Sequence, residues 1–230
     1  MTPRRPHASL AVLATLALVL TGCGEDKPAS KPAASESTDL PTGNVKVPEG
    51  VTLTTAGTTL QFGEAATVAY EPNSRRSSVL SLSVSSVKTG QLKDFAAYDL
   101  DKRTKASTPY YVKVMVKNLG TGDLSRAGIP LLAVDSRNTL VQPSSFNNTF
   151  AKCSSTPLPA GFVGGKQMRG CLVYLIPDGG TLTELSFRPL QAFEPIVWQG
   201  TVEPAVVKKA KKPKKGAKTS KKNTKKKAKP

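Results

Sequence analysis

Residues 79–87 read Val-Leu-Ser-Leu-Ser-Val-Ser-Ser-Val, with Leu80, Leu82 and Val84 on one side and serines on the other. A period of two predicts a strand with one face buried and one face wet. Residues 110–118 repeat the pattern, with Tyr110, Val112, Val114 and Val116 inward and Lys113 and Lys117 among the outward positions. The Asn118-Leu119-Gly120-Thr121-Gly122-Asp123 run that follows supplies a turn. Further strands are predicted at 129–134, 171–176, 182–187 and 196–202, with 51–55 and 67–70 as additional candidates. Pro177-Asp178-Gly179-Gly180 separates two of them, its glycines suited to the positive φ of a tight reversal. A short helix is predicted only near 92–100. Trp198, the sole tryptophan, falls in an alternating strand and reads as core. Seven or eight short strands within 51–204 fit one all-β antiparallel sandwich better than a barrel or an α/β sheet.

The flanks have a different makeup. Arg4 and Arg5 precede an apolar run at 10–20, which is followed by small Thr21 and Gly22. That order is the plan of a secretory leader over 1–22. Its apolar core is roughly half of the ~20 residues a transmembrane helix needs, so a permanent membrane span is not expected there. The stretch Leu20-Thr21-Gly22-Cys23 resembles a bacterial lipobox. The resemblance implies a diacylglycerol on the Cys23 sulfur, cleavage in front of Cys23, and a protein held on the extracytoplasmic face of the cell membrane by its N-terminal lipid. The competing reading is a soluble secreted protein with ordinary cleavage and a chance cysteine. Residues 23–50 are rich in Pro, Ala, Ser, Thr and charge, with almost no large apolar side chain, and so predict a flexible tether.

Net charge is +17, but it is concentrated at one end. With Arg4, Arg5 and the 13 lysines of 208–229 set aside, 18 basic residues face 16 acidic ones, so the body is nearly neutral. Cysteine usage follows from the lipobox. Once Cys23 carries lipid, Cys153 and Cys171 remain as a pair in an oxidising compartment, where a disulfide is the default. No CxxC spacing occurs, and the only histidine, His7, lies in the leader. Neither the usual zinc sites nor Ser-His-Asp and Cys-His catalysis can then be built after cleavage, so no metal, cofactor or catalytic residue is expected. Asp99 and Asp101 lack the other oxygen ligands of a calcium loop and read as surface charge. The long segment 142–170, rich in Pro, Gly and Asn, has no regular pattern. A Cys153–Cys171 bridge would staple it to the strand starting at Cys171, either for stability alone or as a binding loop with reduced entropy loss.

Several segments in this order carry a further resemblance. These are the serine-rich strand, Tyr-Tyr-Val-Lys-Val-Met-Val-Lys-Asn followed by Gly, the cysteine loop, Cys-Leu-Val-Tyr-Leu-Ile-Pro and Leu-Ser-Phe-Arg-Pro. Over 58–202 the chain resembles the extracellular immunoglobulin-like domains of actinobacterial lipoproteins, and is similar to the immunoprotective secreted-antigen sandwich of mycobacteria. The resemblance implies an immunoglobulin-like fold and a binding or structural module, and it brings no catalytic residues.

The C-terminal segment 205–230 is dominated by Lys208, Lys209, Lys211, Lys212, Lys214, Lys215, Lys218, Lys221, Lys222, Lys225, Lys226, Lys227 and Lys229. It has no acid, no aromatic and no aliphatic beyond alanine after 208. Such composition predicts a disordered, extended polycation that binds polyanions through charge rather than shape. It resembles the Lys-Ala-Pro-rich tails of actinobacterial histone-like proteins and heparin-binding adhesins. An exported location makes intracellular nucleic acid a poor partner. Anionic wall polymers and lipid headgroups are the expected ones, each lysine near an anionic membrane contributing up to about 1 kcal/mol. The alternatives are a solvated spacer, an adhesin meeting host glycosaminoglycan or extracellular DNA, and an envelope enzyme. The ligand and an unidentified partner protein both stay open.

Replacing Cys23 by Ser removes the only sulfur the lipobox can acylate. The variant is expected to lose detergent-sensitive retention in the membrane fraction, read by fractionation of cells expressing it beside the wild type.

Overall fold

Inward-facing alternation is the organising feature of the two longest strands. The computed structural model describes residues 43–148, 150–191 and 193–206. Ten strands follow in chain order: β1 (Thr59–Gln61), β2 (Ala65–Asn73), β3 (Arg76–Thr89), β4 (Thr108–Asn118), β5 (Leu132–Asp135), β6 (Leu140–Val141), β7 (Gln167–Ile176), β8 (Leu182–Phe187), β9 (Ile196–Gln199) and β10 (Val202–Glu203). One helical turn, α1 (Lys102–Lys105), and 3₁₀ turns at Leu92–Phe95 and Pro177–Gly179 interrupt them.

The strands make two sheets, which form an all-β, mostly antiparallel sandwich. One has the order β1-β9-β8-β5-β6 and the other β10-β3-β4-β7, with β2 also on β3. Most pairs are antiparallel, but β1 with β9 and β10 with β3 run parallel. Leu80, Leu82, Val84, Val112, Val114 and Val116 point into the space between the sheets. There they meet Leu131, Leu185, Phe187, Ile196 and Trp198 in one cluster of buried residues. Trp198 is fully buried and its Nε1 donates to the Glu64 carbonyl at 3.0 Å. Apolar burial of this kind contributes about 25 cal/mol per Å² removed from water.

Several elements depart from the sequence expectations. The 129–134 segment yields only β5, because Pro130 has no N–H to give a ladder, although Ile129 and Leu131 stay buried. The 196–202 strand breaks at Gly200, where a Cβ would lie 2.4 Å from the Phe62 ring, and the chain passes from one sheet to the other. Residues 51–55 form no ladder. Instead Thr54 N–H donates to the Thr67 carbonyl at 2.8 Å, and its hydroxyl accepts from Thr67 N–H at 2.9 Å. The helix expected near 92–100 is one 3₁₀ turn, while α1 starts at the Asp101 cap, whose carboxylate accepts from Thr104 N–H at 2.7 Å. In the Pro177 turn the positive φ falls on Asp178 and Gly179, at 53° and 65°, not on Gly180. The leader, most of the tether and the lysine tail lie outside the described residues. No helix among the described residues is long and apolar enough to cross a membrane.

The segment between β6 and β7 divides its work. Leu158 and Phe162 enter the main core. Closer to the disulfide, Ser144 N–H donates to the Val173 carbonyl at 2.7 Å and Ser155 N–H to the Cys171 carbonyl at 2.8 Å. These bonds cover part of the open edge of β7, which would otherwise invite strand pairing with another chain.

Asn118 ends β4 and is fully buried. Its side-chain oxygen accepts from the Ser78 hydroxyl at 2.7 Å and from Gly120 N–H at 3.2 Å, while its amide donates to the Gly122 and Phe162 carbonyls at 2.8 and 3.0 Å. Asn118→Ala strands these groups without water. It should cost about 3 kcal/mol, read as a lower urea midpoint at unchanged slope.

Candidate anion-binding cleft

The outer face of the β3-β4-β7 sheet is covered at both ends. At one end Val45, Val47, Val51 and Leu53 pack on Ala69 and Val79. At the other, Phe95 and Phe150 stack at 4.6 Å between ring centres, joined by Phe146 and Tyr98. The Cys153–Cys171 disulfide, with a Cα–Cα distance of 5.2 Å, belongs to the same aromatic cluster and ties it to β7. Between the two covers the face is open. In register across it stand Ser81, Lys117 and Gln167, then Ser83, Met115 and Arg169, then Ser86, Lys113 and Cys171.

Where the open band meets the aromatic cover there is a cleft of about 430 Å³. Strand pairing builds its floor, since Lys88 lies opposite Tyr111 and Ser86 opposite Lys113. The 3₁₀ turn after β3 brings Lys93 and Asp94 over it, and the residue before Cys153 contributes Lys152. Gly90 allows this close arrangement, because a Cβ there would sit 2.6 Å from Tyr111 Cζ. The Tyr111 hydroxyl consequently reaches Asp94 and donates to its carboxylate at 2.9 Å. Lys152 Nζ lies 3.5 Å from the other Asp94 oxygen.

Four lysines thus face two carboxylates, Asp94 and Glu203. Asp94 already takes Tyr111 and Lys152. Among the described residues, Lys88, Lys93 and Lys113 make no ion pair. A cleft with unpaired cations, hydroxyls from Ser86 and Thr89 and little countercharge is suited to an anion with several oxygens. No cluster of three His, Cys, Asp or Glu is present among the described residues.

The last described residues complete the wall. Glu203 pairs with Lys88 in the β10–β3 ladder, Ala205 and Val206 line the cleft, and Gln91 Nε2 donates to the Val206 carbonyl at 3.4 Å. Lys208 follows two residues later.

Of the residues singled out from sequence, Cys153 and Cys171 are brought together as a disulfide. Cys23 and the lysines from Lys208 to Lys229 lie outside the described residues. Sequence reasoning put Lys113 on the wet face but did not join it to Lys88, Lys93 and Lys152. The signal was the position of Lys152 beside Cys153, which forces a cation onto whatever strand holds Cys171.

No protein-family model matches the chain, and no curated protein matches it. Among solved structures it is similar to MPT63, a secreted protein of Mycobacterium tuberculosis, at 16% identity with a TM-score of 0.43, over 62% of this chain and 96% of that one.

Burial, reinforced by the hydrogen bond to Asp94, pushes the Tyr111 phenol far above its ordinary value near 10. Burial also lifts Tyr70 to about 12. A raised folded value means the folded chain keeps protons that the unfolded chain releases. The contribution is therefore whole below the unfolded value and is lost as pH climbs toward the folded one. Urea midpoints should fall between about pH 10 and about pH 12, less steeply in Tyr111→Phe than in the wild type.

Proposed function

We propose that this protein is a lipid-anchored, extracytoplasmic, non-catalytic binding module that holds a phosphate-bearing polymer of the cell envelope. The observation that carries the reading is the cleft of Lys88, Lys93, Lys113 and Lys152, whose wall includes Ala205 and Val206, just before the first tail lysine. The folded domain supplies a shaped anion site, and the tail from Lys208 to Lys229 extends it as an unshaped polycation. The exposed Lys117 and Arg169 on the open sheet face continue the cationic path away from the tail.

Division of labour follows from the physics. Tail lysines gain most of their binding energy from counterion release, which weakens steeply with salt and discriminates poorly between polyanions. A cleft with fixed lysine stems, a phenol and hydroxyls presents donors in set directions and can prefer one repeat unit over another. The Cys23 lipid would keep both on the outer side of the membrane. A non-catalytic role is supported by the absence of histidine after His7 and by the engagement of Asp94 with Tyr111 and Lys152.

Three forms separate the parts: the full chain with Cys23→Ser, the same chain ending at Val207, and the same chain with Lys88, Lys93 and Lys113 all changed to Gln. Binding to poly(glycerol phosphate) is measured across a salt series. Both changes should weaken binding, and the triple change should lower the salt slope by somewhat under one per lysine that contacts phosphate. Equal affinity and slope for the triple variant and its parent would remove the cleft from the proposal. Retention on heparin with none on the phosphate polymer would favour the adhesin reading instead.

A further inference from the structure

A second cleft, sharing no residue with the first, opens where the free edge of β2 faces the segment before β5 and the end of β8. Its volume is about 570 Å³. Small-molecule sites usually fall at roughly 300–1,000 Å³, with apolar walls and a few placed polar groups. The walls mix polar and apolar groups: Leu132, Pro189 and Leu190 are at least partly exposed, over a floor of buried Val45, Ile129, Leu131 and Phe187, with Arg188 beside them. Leu190 is 56% exposed, a large apolar side chain left in water at the mouth.

Arg188 is the cation of this groove and it is poorly served. Its Nη2 donates to the Gln191 carbonyl at 3.2 Å, while Nε is buried with no acceptor. No carboxylate among the described residues pairs with it. Glu71 also lines the groove, but its two oxygens already accept from the backbone and side-chain nitrogens of Asn44, each at 3.2 Å. A guanidinium whose Nη1 makes no hydrogen bond among the described residues, beside an exposed leucine, matches an oxyanion attached to a hydrocarbon chain.

We propose that this groove binds a single-chain amphiphile with an anionic head, the head on Arg188 and the chain against Leu132, Pro189 and Leu190. Head chemistry is carboxylate or phosphate, and both present the oxygens that a guanidinium fork recognises. The site is independent of the lysine cleft and of the polymer reading.

The full chain with Cys23→Ser is titrated with decanoate, decyl phosphate and decanol, below their aggregation thresholds, by calorimetry and by amide shifts in NMR spectra. Decanoate or decyl phosphate should bind more tightly than decanol, and the tighter of the two identifies the head. Arg188→Gln should weaken the anionic probe by roughly tenfold or more and leave decanol unchanged, whereas Arg188→Lys should restore only part of the loss. Leu190→Ser should weaken all three. Thermal melts of each variant establish that it is folded. Equal binding of decanoate, decyl phosphate and decanol would overturn the proposal, as would anionic binding indifferent to Arg188. If no probe binds, the proposal falls.

Discussion

The register between β3 and β4 is the constraint on which the rest of this protein depends. Nine residue pairs join them, and a one-residue slip would turn one strand's buried face outward relative to the other. Were β4 the strand to turn, Val112, Val114 and Val116 would meet water, and Lys113 and Lys117 would enter an apolar interior. Correct register does two things together. It fills the sandwich with aliphatic side chains, and it aligns Lys88, Tyr111, Lys113 and three serines on the outer surface. The lysine cleft is therefore the reverse side of the core, specified by the same alternation.

Both ends of that outer surface are closed by chain segments outside the main ladders. The band between them is polar, and among the described residues nothing packs on it, so water solvates it. The disulfide contributes at this level. It holds the aromatic cover on β7, shields part of a strand edge, and carries Lys152 to Asp94. Its role as a staple and its role in a site are the same contact seen from two sides. The second groove arises differently, where no described strand pairs with the outer edge of β2 beyond its Thr54–Thr67 contact and Pro130 delays the start of β5.

Legibility from sequence tracked the range of the interaction. Alternation within a strand is local, so β3, β4 and the inward positions could be read directly, and Lys113 and Lys117 were placed on the correct side. Short ladders were not legible. The two-residue β6 and β10 and the three-residue β1 are made by their neighbours rather than by their own propensity. The parallel pairing of β10 with β3 depends on a crossing at Gly200 that no periodicity signals. Lys88, Lys93, Lys113 and Lys152 are far apart along the chain, and only the folded sheet makes them neighbours. Arg188 sat in a motif used for its likeness to a sandwich strand, and its missing acceptors could be seen only in three dimensions.

The attachment of β10 has a mechanical consequence. Two rungs, Val202 with Val87 and Glu203 with Lys88, join it to β3. A load applied to the C-terminus reaches these rungs before any longer ladder. Peeling them would carry Glu203 away from the cleft and leave four lysines facing Asp94 alone. The first element to yield is thus the one that supplies the opposing charge.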